Sequence, residues 1–131
     1  MPLLKWSEQF SVGVPEIDNQ HKTLINMVNE LHDAMSNGKG GDVLPSILAK
    51  LTAYTQTHFA TEERLMVARS YPSYRAHKQV HDSFARDVME LQKKLQSGGA
   101  LLTLQIMNKL KDWLTNHILN TDKLLGRFLT S

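Results

Sequence analysis

The sequence predicts an all-α fold, an up-down-up-down four-helix bundle with an irregular N-terminal arm. Three observations predict it. Four segments repeat apolar residues at helical spacing, no segment alternates as a strand would, and the breaks between segments are short and built from Gly, Ser and Pro. Short links between long amphipathic helices make sequence neighbours antiparallel. The chain has 131 residues, enough for one core and too few for two, so residues 1–131 are expected to form one domain.

Residues 1–17 hold Pro2, Gly13 and Pro15 and read as the arm, with Trp6, Phe10, Val12 and Val14 expected to pack on the bundle. Asp18 is the expected N-cap of a first helix over 18–35, which carries Leu24, Ile25, Val28, Leu31 and Met35 on one side. The stretch SNGKGGD, residues 36–42, is a turn by composition. A second helix is expected over 42–68, with Pro45 tolerated in its first turn. Its apolar positions are Ile47, Leu48, Leu51, Tyr54, Leu65 and Met66. RSYP, residues 69–72, is the next break and sets Pro72 near the first position of a third helix, expected over 72–96. That helix carries Phe84, Val88, Leu91 and Leu95 and stops at SGGA. A fourth, with Ile106, Leu110, Trp113 and Leu114, is expected over 101–126.

Histidines interrupt these stripes. The second register runs on through His58 and Glu62 before Leu65, the third begins on His77 and His81 ahead of Phe84, and His117 follows Leu110 and Leu114 in the fourth. Height along the bundle sharpens the pattern. His21, His77 and His81 lie near helix starts, whereas His58, Glu62, His117 and Asp122 lie near helix ends. In an up-down-up-down bundle those are all the same end, and the seven groups fall roughly 4–15 Å from it. A single histidine on an apolar face is ordinarily a hydrogen-bonded core residue. Five of them with two carboxylates in one layer are not, because burying so many ionisable groups unpaired costs several kcal/mol each. A metal site removes that cost. His32 lies about 16 Å further along the first helix than His21 and stays outside the layer, as a structural residue. Glu63 points about 100° away from Glu62 and is expected in solvent or behind a ligand.

Seven ligands exceed the four of an ordinary zinc site and suit two ions of higher coordination, bridged by both carboxylates. Imidazole-rich ligation fits iron, copper, nickel or zinc, with iron preferred, and disfavours calcium and magnesium. The step from His117 to Asp122 is five residues, about 140° on an ideal helix. Either Asp122 reaches in from the flank or the helix widens locally, as π-bulges do.

Composition narrows the function classes. There are 15 basic and 13 acidic residues mixed along the chain, so no basic stripe marks a nucleic-acid surface. The absence of cysteine rules out disulfides, Cys-ligated zinc and iron–sulfur clusters, and suits a reducing compartment. No secretory leader and no apolar run of membrane-spanning length are visible, so a soluble cytoplasmic protein with no transmembrane segment is expected.

The segments WSEQFSVGVPEIDNQH ending at His21, HFATEE (58–63), YPSYRAHKQVH (71–81) and WLTNHILNTD (113–122) together resemble the hemerythrin family, in its single-domain bacterial form. The resemblance covers nearly the whole chain. It implies a non-heme di-iron centre of two Fe ions, cycling between Fe2+ and Fe3+, with a bridging oxo or hydroxo group. By position, His77, His81 and His117 would bind one iron, His21 and His58 the other, and Glu62 and Asp122 both. The second iron then keeps one open position, where the family binds O2. The resemblance further implies that Leu114 lines the O2 pocket, and Ile25, Phe59, Trp113 and Ile118 are the apolar residues expected around it. On this reading the chain is an expected monomer that binds O2 reversibly, is not an enzyme, and serves transport, storage or delivery to an oxygen-consuming enzyme. The alternatives are a di-iron oxidase or peroxidase, a protein detoxifying nitric oxide or oxygen, or an oxygen sensor. An enzyme needs a protonatable group beside the open position, and Tyr54, one turn before His58, is the candidate. Ferritin-like oxygenases would need a pair of Glu-x-x-His motifs, which the ligand layer lacks.

Overall fold

The computed structural model describes residues 4–97 and 102–130, with side chains at all of these except 40, 41, 95–97 and 102–104. Four helical rods form a bundle: α1 (Pro15–Ser36), α2 (Gly40–Ala68), α3 (Tyr74–Ser97) and α4 (Leu102–Asn116), the last continuing through a π turn (His117–Asp122) into α5 (Lys123–Leu129). A short 3-10 turn, Glu8–Phe10, lies in the arm. No strand occurs among the described residues. No helix there is long and apolar enough to cross a membrane.

Three helix starts differ from expectation. α1 begins at Pro15, whose ring presets the helical φ and lacks the N–H that a first turn leaves unbonded. Asp18 is therefore inside the helix, not its N-cap. Its carboxylate instead accepts from the Ser11 hydroxyl at 2.6 Å and the Val12 N–H at 2.8 Å, pinning the arm to α1. α2 begins two residues early because Asp42 and Val43 both donate to the Lys39 carbonyl. Pro45 thus lies past the first turn and forfeits a hydrogen bond to the carbonyl four residues back. α3 begins at Tyr74, whose N–H bonds the Tyr71 carbonyl, and leaves Pro72 in the preceding turn.

Two helix ends close in the same way. After α1, Gly38 adopts φ +73° while Gly38 N–H and Lys39 N–H return to the carbonyls of Met35 and Ala34. After α2, Ser70 takes the left-handed position at φ +55°, and the N–H groups of Ser70 and Tyr71 return to Val67 and Met66. Tyr71 packs in the same apolar cluster as Met66, the contact that accompanies this motif.

The apolar stripes pack as read, with two qualifications. In α2 the inward position between Leu51 and His58 belongs to Thr55, which is buried, while Tyr54 is half-buried against the core. Helical turns alternate steps of three and four, and the step of four from Leu51 reaches Thr55. The Leu95 side chain lies outside the described residues. The core has two parts. A large cluster including Leu24, Val28, Leu48, Leu51, Phe84, Val88, Leu110 and Leu114 fills most of the bundle. A smaller one of Val12, Ile17, Met66 and Leu125 closes its end. The histidine layer lies between them, one turn from Ile17, Met66 and Leu125 on their own rods. Val12 comes from the arm, and Trp6 and Phe10 pack on the large cluster, so the arm helps to close the bundle. The Asn29 amide holds the arm further out, accepting from Leu4 N–H at 2.8 Å and donating to its carbonyl at 2.7 Å.

Candidate metal centre

Helical spacing brings the polar groups together in pairs. His58 and Glu62 are one turn apart on α2, and His77 and His81 one turn apart on α3, so each pair shares a face. His117 and Asp122 are five apart, and the π turn between them solves their alignment. Hydrogen bonds from i to i+5 widen the helix so that residues five apart lie on one face. His117 Nε2 and Asp122 Oδ1 are 2.9 Å apart.

All seven side chains predicted from the sequence meet in one layer and are at least 97% buried. Glu62 and Asp122 divide them. Glu62 Oε1 faces the Nε2 atoms of His77, His81 and His117 at 3.2, 2.9 and 3.7 Å, and Asp122 Oδ1 faces those of His77 and His117 at 3.1 and 2.9 Å. Their second oxygens turn the other way. Asp122 Oδ2 is 2.7 Å from His21 Nε2 and 3.8 Å from His58 Nε2, and Glu62 Oε2 is 4.0 and 3.5 Å from the same two atoms. The result is two groups of potential ligand atoms, one with three imidazoles and one with two, sharing both carboxylates. His32 is half-buried elsewhere on α1 and belongs to neither.

Two of the five rings have their outer nitrogen held by a side chain. His58 Nδ1 lies 2.7 Å from Gln20 Oε1, and His81 Nδ1 lies 3.0 Å from Glu63 Oε2. Glu63 is thus behind a ring, one of the two places expected for it. Gln20 carries no signal in the apolar register, because it precedes His21 in sequence but serves a ring on another helix. Aromatic faces complete the setting. Phe59 stacks on His81 with ring centres 3.7 Å apart, and Trp113 on His117 at 4.5 Å.

Charge in this layer is redistributed by proximity. Burial and the neighbouring Asp122 both raise the Glu62 carboxyl, but contacts with His117, His77 and His81 outweigh them and hold it below the usual carboxylate range. Burial likewise opposes ionisation of Asp122, and the His117 charge reverses the balance and pulls it well down. Burial works against the His117 imidazolium, yet the Asp122 charge beside it lifts the ring to about 10. His77 is raised against burial by the same two carboxylates. A cation that uses His117 Nε2 must therefore displace a proton at neutral pH. Loading the metal-stripped protein should release at least one proton per chain, and apparent affinity should rise about tenfold per pH unit between pH 6.5 and 10. Calorimetry in buffers of different ionisation enthalpy would measure it; pH-independent binding would show that His117 gives up no proton.

The donors fit a cation better than they fit one another. Glu62 Oε2, Asp122 Oδ1, His58 Nε2 and His117 Nε2 are buried atoms without a hydrogen bond, although each has an opposite partner nearby. Left so, each costs roughly 1–3 kcal/mol. Adjacent ligands on an octahedral ion with bonds of about 2.1 Å stand about 3 Å apart, near most separations here.

Of the apolar residues expected near the site, Leu114 and Trp113 line a small interior gap with Leu24, Leu51, Thr55, Phe84 and Leu110. Phe59 lines an outer groove between α2 and α3, which also meets Thr55 and Phe84. Ile25 and Ile118 are buried in the large cluster and line neither space.

Residues 12–129 match a family model described as the hemerythrin HHE cation binding domain. The chain is 39% identical over 122 residues to a bacteriohemerythrin of Pseudomonas aeruginosa, covering 93% of this chain and 78% of that one. It is 36% identical over 132 residues to a bacteriohemerythrin of Methylococcus capsulatus, covering the whole of both. A myohemerythrin of Theromyzon tessulatum is 29% identical over 118 residues, with coverages of 90% and 87%. A crystal structure of wild-type hemerythrin superposes with a TM-score of 0.88 at 36% identity, covering 98% of this chain and 99% of that one.

Proposed function

Because the chain belongs to the hemerythrin family, we propose that it binds O2 reversibly at a non-heme di-iron centre. His77, His81 and His117 would hold one iron, His21 and His58 the other, and Glu62 and Asp122 both. The observation that carries this reading is the three-to-two division of imidazoles about two carboxylates that offer one oxygen to each side. The two-histidine side then supplies one ligand fewer and leaves a position for O2. Two ferrous ions, when bound, would supply the two electrons that O2 takes up and a coordination position to receive it, with a water-derived oxo or hydroxo group between them.

The protein's part is to hold these ligands and to keep water and protons away. The gap beside Leu114 is walled by aliphatic and aromatic side chains, with Thr55 its one hydroxyl. Its wall residues Leu24, Thr55 and Leu114 each stand one turn from a ligand, His21, His58 and His117, and Tyr54 is absent from the wall. A dry wall without a strong acid favours holding O2 over cleaving it, which supports a carrier and not an oxidase or peroxidase. The roles that fit are transport, storage or delivery to an oxygen-consuming enzyme, by a monomer in the cytoplasm. Leu114→Ala should admit water and speed autoxidation by roughly tenfold, followed optically after air is admitted. An unchanged rate would remove Leu114 from the wall that protects O2.

The deciding experiment combines a metal count with optical spectra taken anaerobically, after air, and after oxygen is removed. Two irons per chain and a spectrum that reverses support the carrier. Consumption of reductant with turnover would make it an enzyme, and a single ion per chain would end the di-iron reading.

A further inference from the structure

Two of the five imidazoles have their outer nitrogen tied to a side chain, one in each ligand group, and the ties differ in charge. His81 Nδ1 meets the Glu63 carboxylate, whereas His58 Nδ1 meets the amide of Gln20. An amide can present oxygen or nitrogen to a histidine, and the choice decides the ring's tautomer. A threonine makes that choice here. The Thr61 hydroxyl has one hydrogen and donates it to the Thr57 carbonyl at 3.1 Å. It therefore accepts from Gln20 Nε2, 3.0 Å away. Gln20 Oε1 is thereby turned toward His58, where it accepts the proton on Nδ1. The lone pair of the neutral ring is left on Nε2, which faces Glu62 and Asp122.

We infer that Gln20 is a positioning residue that holds His58 in its metal-binding tautomer, and that its neutrality, against the charge of Glu63, leaves the two-histidine group the weaker of the two metal sites. The inference rests on the two-ion reading above. A carboxylate behind an imidazole adds donor strength, while an amide orients the ring without adding charge. The two-histidine group also has one imidazole fewer, so the test compares variants at position 20 and not the two groups.

The full chain, stripped of metal, is titrated with Co2+ alone, and each equivalent is followed by its visible bands and by competition with a chelator. Wild type takes two equivalents; fewer than two would overturn the two-ion reading and this inference together. Gln20→Ala weakens the second equivalent roughly tenfold or more and leaves the first within about twofold. Gln20→Glu, which keeps an acceptor there and adds charge, binds the second equivalent more tightly than wild type, and affinity equal to wild type would overturn the part played by neutrality. Thr61→Val touches no ring, yet it frees the amide to turn and weakens the second equivalent about threefold or more. Two tight equivalents in Gln20→Ala would overturn the inference and leave the two-ion reading standing. So would equal weakening of both equivalents, a loss that Gln20→Glu fails to restore, or a Thr61→Val protein indistinguishable from wild type.

Discussion

Glu62→Ala should purify with less than one iron per chain, against two for the parent. Glu62 faces all five imidazoles of the two groups, where Asp122 faces four. It faces three imidazoles with Oε1 and two with Oε2. Its loss would take a ligand from both ions at once and leave Asp122 as the one carboxylate between the two groups. The loss should also appear in stability. An ion present at about 1,000 times its dissociation constant stabilises the native state by about 4 kcal/mol, so the parent's melting temperature should rise by more than about 10 °C on loading. The Glu62→Ala protein should show almost no rise. Glu62→Gln separates charge from shape: it keeps the volume but offers one neutral oxygen, and should behave like the alanine variant. Elemental analysis and paired melts with and without iron would check both. Two irons in either protein would mean that Glu62 does not bridge.

Gly126→Ala should lower the melting temperature by roughly 10 °C, a loss of about 2–3 kcal/mol. The sign is what makes this informative. Gly126 is inside α5, where alanine would ordinarily stabilise the helix by about 1 kcal/mol. Here an added Cβ would lie 2.1 Å from the Val12 carbonyl oxygen and 2.9 Å from its carbonyl carbon. Those are backbone atoms of the arm, and Asp18 and Asn29 hold the arm in place. The arm must lift or α5 must tilt, and either move opens the apolar cluster that closes the bundle over the histidine layer. Iron should accordingly leave the variant faster on challenge with a chelator. Deleting residues 1–13 provides the control. In that shorter chain the same substitution should become stabilising, and a substitution destabilising in both backgrounds would remove the arm from the explanation.

Much of this molecule can be read from its residues in order. The helical stripes, the Gly- and Pro-rich breaks and the level of His21, His58, Glu62, His77, His81, His117 and Asp122 follow from a rise per residue and an alternation of direction, both local properties. Even the π turn left a trace, in a five-residue step that an ideal helix cannot align. Where local reading slipped, a contact from elsewhere in the chain had intervened. Asp18 looks like a cap until Ser11 and Val12 fold back onto it. Tyr54 looks like the inward residue because it is the larger apolar choice, yet docking of α2 turns Thr55 inward.

The sequence alone determined the four rods and the set of polar groups that share one end of them, because each depends on residues within a turn or two of one another. Tertiary docking decided which carboxylate oxygen faces which imidazoles, that Gln20 and Glu63 stand behind His58 and His81, and that Val12 needs a bare backbone at Gly126. The last three of these contacts join residues 18 to 114 positions apart in the chain. Their geometry is set by the distance and rotation between rods, which no local periodicity encodes.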